Sequence, residues 1–273
     1  MVDSSSDCRN SDVYDFFVPI SVSIDQKEYM DGIDLDSDTF YKLLTEAKDF
    51  PRTSQPSPDD FLKFFEKVKA DGDQLIYLSL SSALSGTYQT ANIAKAMAEY
   101  DDIYIVDTKN VSHMIELLAK YAKKLASEGM SAKDIVQKCE ELSGRIRIFA
   151  GVDTLEYLQK GGRIGKAAAL VGTLANIKPL ITVSPEGAVD AAGKALGFAR
   201  AVQTLVDKVK NYDIDEEFPI CSLYTYGEDN CIKLEEKLTA EGYEIAERMQ
   251  VGPTIGAHIG AGVYGVFFVE KIK

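Results

Sequence analysis

The sequence predicts a two-domain α/β protein. A Rossmann-like, doubly wound parallel sheet is expected over residues 1–150, and a smaller α+β domain over residues 151–273. Three observations carry this reading. Short apolar runs alternate with amphipathic helical segments through the first half. The turn signal Ser184-Pro185-Glu186-Gly187 then introduces a hairpin, which a purely parallel sheet does not contain. The length of 273 residues, 45% hydrophobic and 27% charged, suits one large or two modest globular domains.

In chain order, Val18–Ile24 reads as a strand, and a helix follows from Ser37 to about Lys48. Ser57-Pro58-Asp59-Asp60 starts the next helix: a serine cap, proline in the first turn, and two acids at the positive helix end. Leu75–Leu80 is an apolar run of the kind that forms a buried strand. The helix over 86–99 places Tyr88, Ala91, Ala94 and Ala98 on one face. Ile103–Val106 is a further strand, and helices follow over 112–127 and 131–142, separated by Gly129. The last strand of this half is expected at Arg145–Ala150. In the second half, strands at 177–183 and 188–191 flank the hairpin turn. Helices near 198–210 and 230–241 and strands near 220–225, 244–249 and 263–269 complete the chain.

A formal net charge of −13 disfavours nucleic acid or an anionic lipid surface as the main partner. Cys8, Cys139, Cys221 and Cys231 form no CxxC pair and read as free thiols. Two histidines are too few for a histidine-rich metal site, and no metal or cofactor is expected. No apolar run approaches the ~20 residues that cross a bilayer. The opening Met1–Asp7 lacks a basic and then apolar leader pattern, so the expected location is the cytoplasm.

Several motif matches fail on context. Gly260-Ala261-Gly262-Val263-Tyr264-Gly265 fits G-x-G-x-x-G, but the residues after it are β-like and no acid follows at the required distance. Gly187 to Gly193-Lys194 has the wrong spacing for a P-loop, and Ala195 stands where a hydroxyl is needed. Ala83-Leu84-Ser85-Gly86-Thr87 lacks the first glycine of a nucleophile elbow.

Three clusters remain. Arg52-Thr53-Ser54-Gln55-Pro56-Ser57 precedes a helix, and only Ser57 is accounted for as its cap. Ser79–Tyr88 lies where a buried strand gives way to a helix, the position at which α/β sheets bind ligands and helix N-termini attract anions. Capping by Ser85 or Thr87 explains that cluster equally well. Leu158–Lys166 is a basic, glycine-punctuated turn in an acidic chain, readable as a solvated loop or as an anion or partner contact. His258 sits among small residues, and His113 falls on a helical pattern as an ordinary packed residue.

Taken in order, these segments resemble the DegV family of bacterial fatty-acid-binding proteins. The resemblance covers nearly the whole chain. It is carried by Asp3-Ser4-Ser5-Ser6-Asp7, Tyr29–Ile33, Thr53–Ser57, Ser81–Gln89, Asp153–Leu158, Lys160–Ile164, Asn176–Pro179 and His258-Ile259-Gly260. It implies a DegV-like pair of α/β domains with a lipid tunnel between them. It implies that Thr53, Ser85, Gly86 and His258 hold a fatty-acid carboxylate, with Ser54, Ser82 and Thr87 in support. The ligand would be a long-chain fatty acid such as palmitate, stearate or oleate. It further implies a separate ATP-dependent fatty-acid kinase as partner, with Arg163 facing it, an acyl phosphate destined for phospholipid synthesis, and transient membrane contact. A monomer is expected. Ala261 replaces a usual proline, Leu196 stands where an arginine is common, and Tyr224–Asp229 replaces a histidine-containing loop.

Physical chemistry fits that implication. Burying a tail gains ~0.8 kcal/mol per methylene, on the order of 12 kcal/mol for roughly fifteen of them before ordering costs. A carboxylate cannot follow the tail unpaired, so donors must wait at one end. The chain itself offers no P-loop for phosphoryl transfer, and no enzymatic activity of its own is expected. Two other readings stand beside the carrier: a serine hydrolase or acyl transferase using Ser85 and His258, and a lipid-responsive regulatory protein.

Overall fold

The computed structural model describes residues 1–171 and 176–272. Its strands are β1 Val2–Asp3, β2 Phe17–Val18, β3 Ser21–Ile24, β4 Lys27–Met30, β5 Arg52–Ser54, β6 Leu75–Ser79, β7 Ile103–Asp107, β8 Ile146–Gly151, β9 Ile177–Val183, β10 Val189–Leu196, β11 Ile220–Tyr224, β12 Ile245–Gln250 and β13 Tyr264–Val269. The α-helices are α1 Ser37–Glu46, α2 Pro58–Asp71, α3 Thr87–Ala98, α4 His113–Ser127, α5 Ala132–Ser143, α6 Glu156–Lys160, α7 Phe198–Val209, α8 Asp229–Ala240 and α9 Pro253–Ile259.

Three sheets organise them. The first is a parallel sheet of order β2-β1-β6-β7, the second a mixed sheet of order β10-β9-β8-β13-β11-β12, and the third a small antiparallel sheet β4-β3-β5. The parallel sheet is covered on both faces, as a doubly wound sheet must be. On one side Phe61 and Phe65 of α2 meet Ala91, Ala94 and Ala98 of α3 over Tyr77 and Ile103. On the other, Met114, Ile115 and Leu118 of α4 and Ile135 and Leu142 of α5 pack on Leu78 and Val106. That second cluster continues into Leu223, Val251 and Phe267, so it also joins the two large sheets. The far face of the mixed sheet is closed by α7 and α8, through Leu205, Val206 and Leu234.

Local sequence signals explain several boundaries. Ser57 caps α2 in a reciprocal capping box with Asp60, and Pro58 takes the first turn. Ser131 caps α5. The hairpin turn at 184–187 joins β9 to β10 as antiparallel neighbours. Gly260 and Gly262 have φ of +76° and +75° and link α9 to β13; they are turn glycines, as the failed dinucleotide motif implied.

The structure corrects two strand expectations. The run from Val18 to Ile24 is two strands in different sheets, because Pro19 lacks the N–H that would continue the ladder. The strand expected to end the first half, β8, lies in the mixed sheet between β9 and β13. Its apolar side chains face both ways, Ile148 toward the inter-sheet cluster and Phe149 toward α7, and apolarity on both faces reports burial without naming neighbours. The change of sheet therefore falls between α5 and β8, ahead of residue 150.

Candidate functional site

A cavity of about 400 Å³ lies in the seam between the two large sheets. That is within the roughly 300–1,000 Å³ typical of small-molecule pockets. Its walls are mostly aliphatic: Leu80 and Val111 come from the first lobe, Ala150, Ile181 and Leu223 from the mixed sheet, and Ile255 and Ile259 from α9. Polar groups enter the wall at Thr53, Ser54, Gln55, Ser85, Ser112, Arg163, Thr182, Thr254 and His258.

Each of these positions has a local cause. Thr53 lies on β5, which is paired to β3 opposite Val22. Ser85 lies beyond the C-terminal end of β6, where an α/β sheet offers its ligand site. Its Oγ is 2.8 Å from Thr87 Oγ1 and accepts from Thr87 N–H at 3.2 Å. The N-cap of α3 is Gly86, without a side-chain cap. Gln55 packs over Gly86, where a Cβ would come within 2.2 Å of Gln55 Oε1. Arg163 follows the end of α6, donating Nε to the Leu84 carbonyl at 3.0 Å and Nη1 to the Gly161 carbonyl at 2.5 Å. It thereby ties the basic turn to the loop that carries Ser85.

His258 Nε2 stands 2.8 Å from Thr53 Oγ1. Its Nδ1 is buried and has no hydrogen-bond partner among the described residues. The ring fits because residue 161 is glycine: a Cβ there would lie 2.3 Å from Nδ1. Burial first, and the Arg163 guanidinium second, push the imidazole down to about 4, so it is neutral near pH 7.

The structure thus brings Thr53, Ser85, Arg163 and His258, with Ser54, to one cavity. Gly86 and Thr87 stand just behind Ser85, outside the lining. Ser82 is turned away and exposed, bonded to Asp107 through its backbone N–H (3.0 Å) and Oγ (2.6 Å), so it does not support the site as expected. The pairing needed for a serine hydrolase is not assembled: His258 meets Thr53 rather than Ser85, and no carboxylate orients its Nδ1 among the described residues. His113 is a packed structural residue, with Nδ1 2.6 Å from Glu116 and Nε2 2.9 Å from the Gln250 carbonyl.

Sequence reasoning missed Ser112 and Thr254, which line the cavity while bonded to buried carboxylates, Asp7 and Asp31. It also missed α9, which carries His258. Gly252-Pro253, a proline at a helix start, was the available signal.

Two α/β lobes thus close on an aliphatic cavity with a hydroxyl, imidazole and guanidinium end. The model of the family described as uncharacterised protein, DegV family, matches residues 1–271, and the chain belongs to that family. A DegV domain-containing protein of Caldanaerobacter subterraneus subsp. tengcongensis is 36% identical over 259 residues, covering 94% of this chain and 91% of the relative. A solved fatty-acid-binding DegV family protein from Thermus thermophilus superposes with a TM-score of 0.88 at 32% identity, over 99% of this chain and 98% of the other. A stearic-acid-binding protein from Eubacterium ventriosum superposes with a TM-score of 0.85 at 25% identity, over 99% and 97%. Among the described residues no helix is long and apolar enough to cross a membrane.

Proposed function

We propose that this protein encloses one long-chain fatty acid and presents its carboxylate to a separate ATP-dependent kinase that forms the acyl phosphate. The observation that carries the reading is the uneven distribution of free donors along the cavity. Ser112, Thr182 and Thr254 direct their hydroxyls to Asp7, the Ile148 carbonyl and Asp31, so they offer a ligand only their apolar sides. Thr53 and Ser85 are placed differently. With the His258 proton on Nε2, Thr53 accepts from the ring and donates its own hydroxyl onward. Ser85 accepts from Thr87 N–H and, with Thr87 Oγ1 as the donor in their 2.8 Å hydroxyl pair, has its own proton for an anion. A carboxylate at this end would meet two donors, while its tail followed the aliphatic wall. The fatty acids bound by the Thermus and Eubacterium relatives support the same ligand class.

Native mass spectrometry of gently purified protein tests the first half of this reading. An adduct of fatty-acid mass is expected. A ligand-free mass that also refuses added palmitate, stearate and oleate overturns it. The second half is tested with Arg163→Ala, which should hold lipid but impair its phosphorylation by the kinase. Loss of lipid in that variant instead overturns the division of roles.

A further inference from the structure

The wall of the cavity is thin at one place. β9 pairs with β8 at only two register positions, Ala150 with Ile181 and Gly151 with Leu180. Beyond them the strands part, while β9 remains paired to β10 through Thr182 and Val183. In place of a ladder bond, Thr182 Oγ1 donates to the Ile148 carbonyl at 2.6 Å. Successive side chains of a strand point to opposite faces, so Thr182 and Val183 together are one strand thick. Both line the cavity, and both also line a second cleft of about 810 Å³ on the other side.

That cleft has apolar surface to offer, from Tyr88, Ile105, Ile146, Phe149 and Tyr212. Its rim is charged as well: Arg147 pairs with Glu270 at 2.8 Å within the cleft, Asp107 holds Ser82, and Lys109, Glu140 and Asp190 also line it. Ile148 and Val183 pack with the inter-sheet cluster that includes Leu80, Val111 and Val251, all wall residues of the cavity.

We propose that the parting of β8 and β9 is a tail portal. The end of an acyl chain too long for the closed cavity passes between Ile148 and Val183 into the cleft, with the Thr182 hydroxyl as the latch. This rests on the fatty-acid reading above and extends its ligand class to very long acyl chains.

Lipid-stripped protein offered palmitic, stearic, behenic and lignoceric acids, followed by native mass spectrometry, tests the portal. Wild type should retain behenic and lignoceric acids at least as well as stearic acid. Val183→Phe, which narrows the parting from the cavity wall, should lose lignoceric acid at least about tenfold more than it loses palmitic acid, since each methylene left in water costs roughly fourfold. A second variant keeps the cavity untouched. Lys109→Cys places a thiol in the cleft, and the four native cysteines are buried, so a bulky maleimide goes to position 109. Labelling should remove only the longest acids. Rejection of lignoceric acid by wild type that holds stearic acid overturns the portal, as does a chain-length profile that neither alteration changes. Refusal of every acid overturns the fatty-acid reading itself, and the portal with it.

Discussion

The segment Asp3–Asp7 and the pair Thr53 and Ser85 both bring hydroxyl groups to the seam between the lobes, yet their hydrogen bonds end in different places. In the first, Ser5 donates to Asp3, Ser6 Oγ to the Asp3 carbonyl at 2.7 Å, and Tyr77 to Asp3 at 2.5 Å. Ser4 accepts from Ile20 N–H at 2.9 Å and meets Thr254 Oγ1 at 3.1 Å. The exception is Asp7 Oδ1, which faces Gly252 and has no hydrogen-bond partner among the described residues. In the second, the Thr53 and Ser85 hydroxyls meet His258 and Thr87 among the described residues, and each can donate into the cavity when that partner supplies the proton of their shared bond. A cluster of alcohols in a sequence is therefore neither site nor scaffold by composition. What separates the two is whether the protein has already used the donors.

The contrast breaks first at Asp3. Removing its carboxylate in Asp3→Ala strands the Tyr77 hydroxyl, Ser5 and the Leu80 N–H in a dry interior, at about 3 kcal/mol of stability. Urea denaturation of the lipid-stripped protein measures this, and a loss confined to lipid binding would erase the distinction drawn here. Thr53→Ala and Ser85→Ala should do the reverse. Each costs about 1 kcal/mol of stability or less, but weakens fatty-acid binding about tenfold, the scale of one hydrogen bond to a charged group. Calorimetric titration with oleate against each variant separates the two effects.

His258 sharpens the same comparison through pH. Its folded-state value of about 4 lies below the ordinary 6.5. As pH falls through that window the unfolded chain takes up the proton first, so stability declines with acidification and this residue contributes no slope above it. His258→Gln should flatten that part of the profile. The variant must be compared with wild type, because Asp31, raised to about 6 chiefly by burial, gives an opposing slope. The smallest effect belongs to Arg163→Ala. Removing the neighbouring cation moves the His258 midpoint upward, readable as a shifted imidazole titration by NMR. A midpoint that stays in place would mean burial alone sets it.

Much of the fold was legible because its signals are local. Ser57-Pro58 starts a helix wherever it is placed, and Ser184–Gly187 turns a hairpin from its own residues. Sheet membership is not local: nothing within β8 distinguishes a seat beside β7 from one beside β13. The small sheet β4-β3-β5 was equally hidden, since β5 is three residues long. At the site, Thr53, Ser85, Arg163 and His258 were legible as residues through the family resemblance, but their connections were not. The Thr53–His258 bond spans 205 positions in sequence, and the space for the ring depends on a missing Cβ at Gly161. Ser82 shows the opposite failure, a hydroxyl in the right segment whose strand-end geometry aims it at Asp107.

The seven residues of α9 span the two clusters compared above. Thr254 fastens its first turn to Asp31 and Ser4, and its last turn carries the imidazole. At ~1.5 Å per residue it is a rod of about 10 Å, too short to flex along its length. A push on one end is delivered to the other as a tilt. Asp31→Ala, in a residue outside the cavity wall, should thus swing His258 off Thr53, and under the proposed function oleate titration would read that lever as weaker binding.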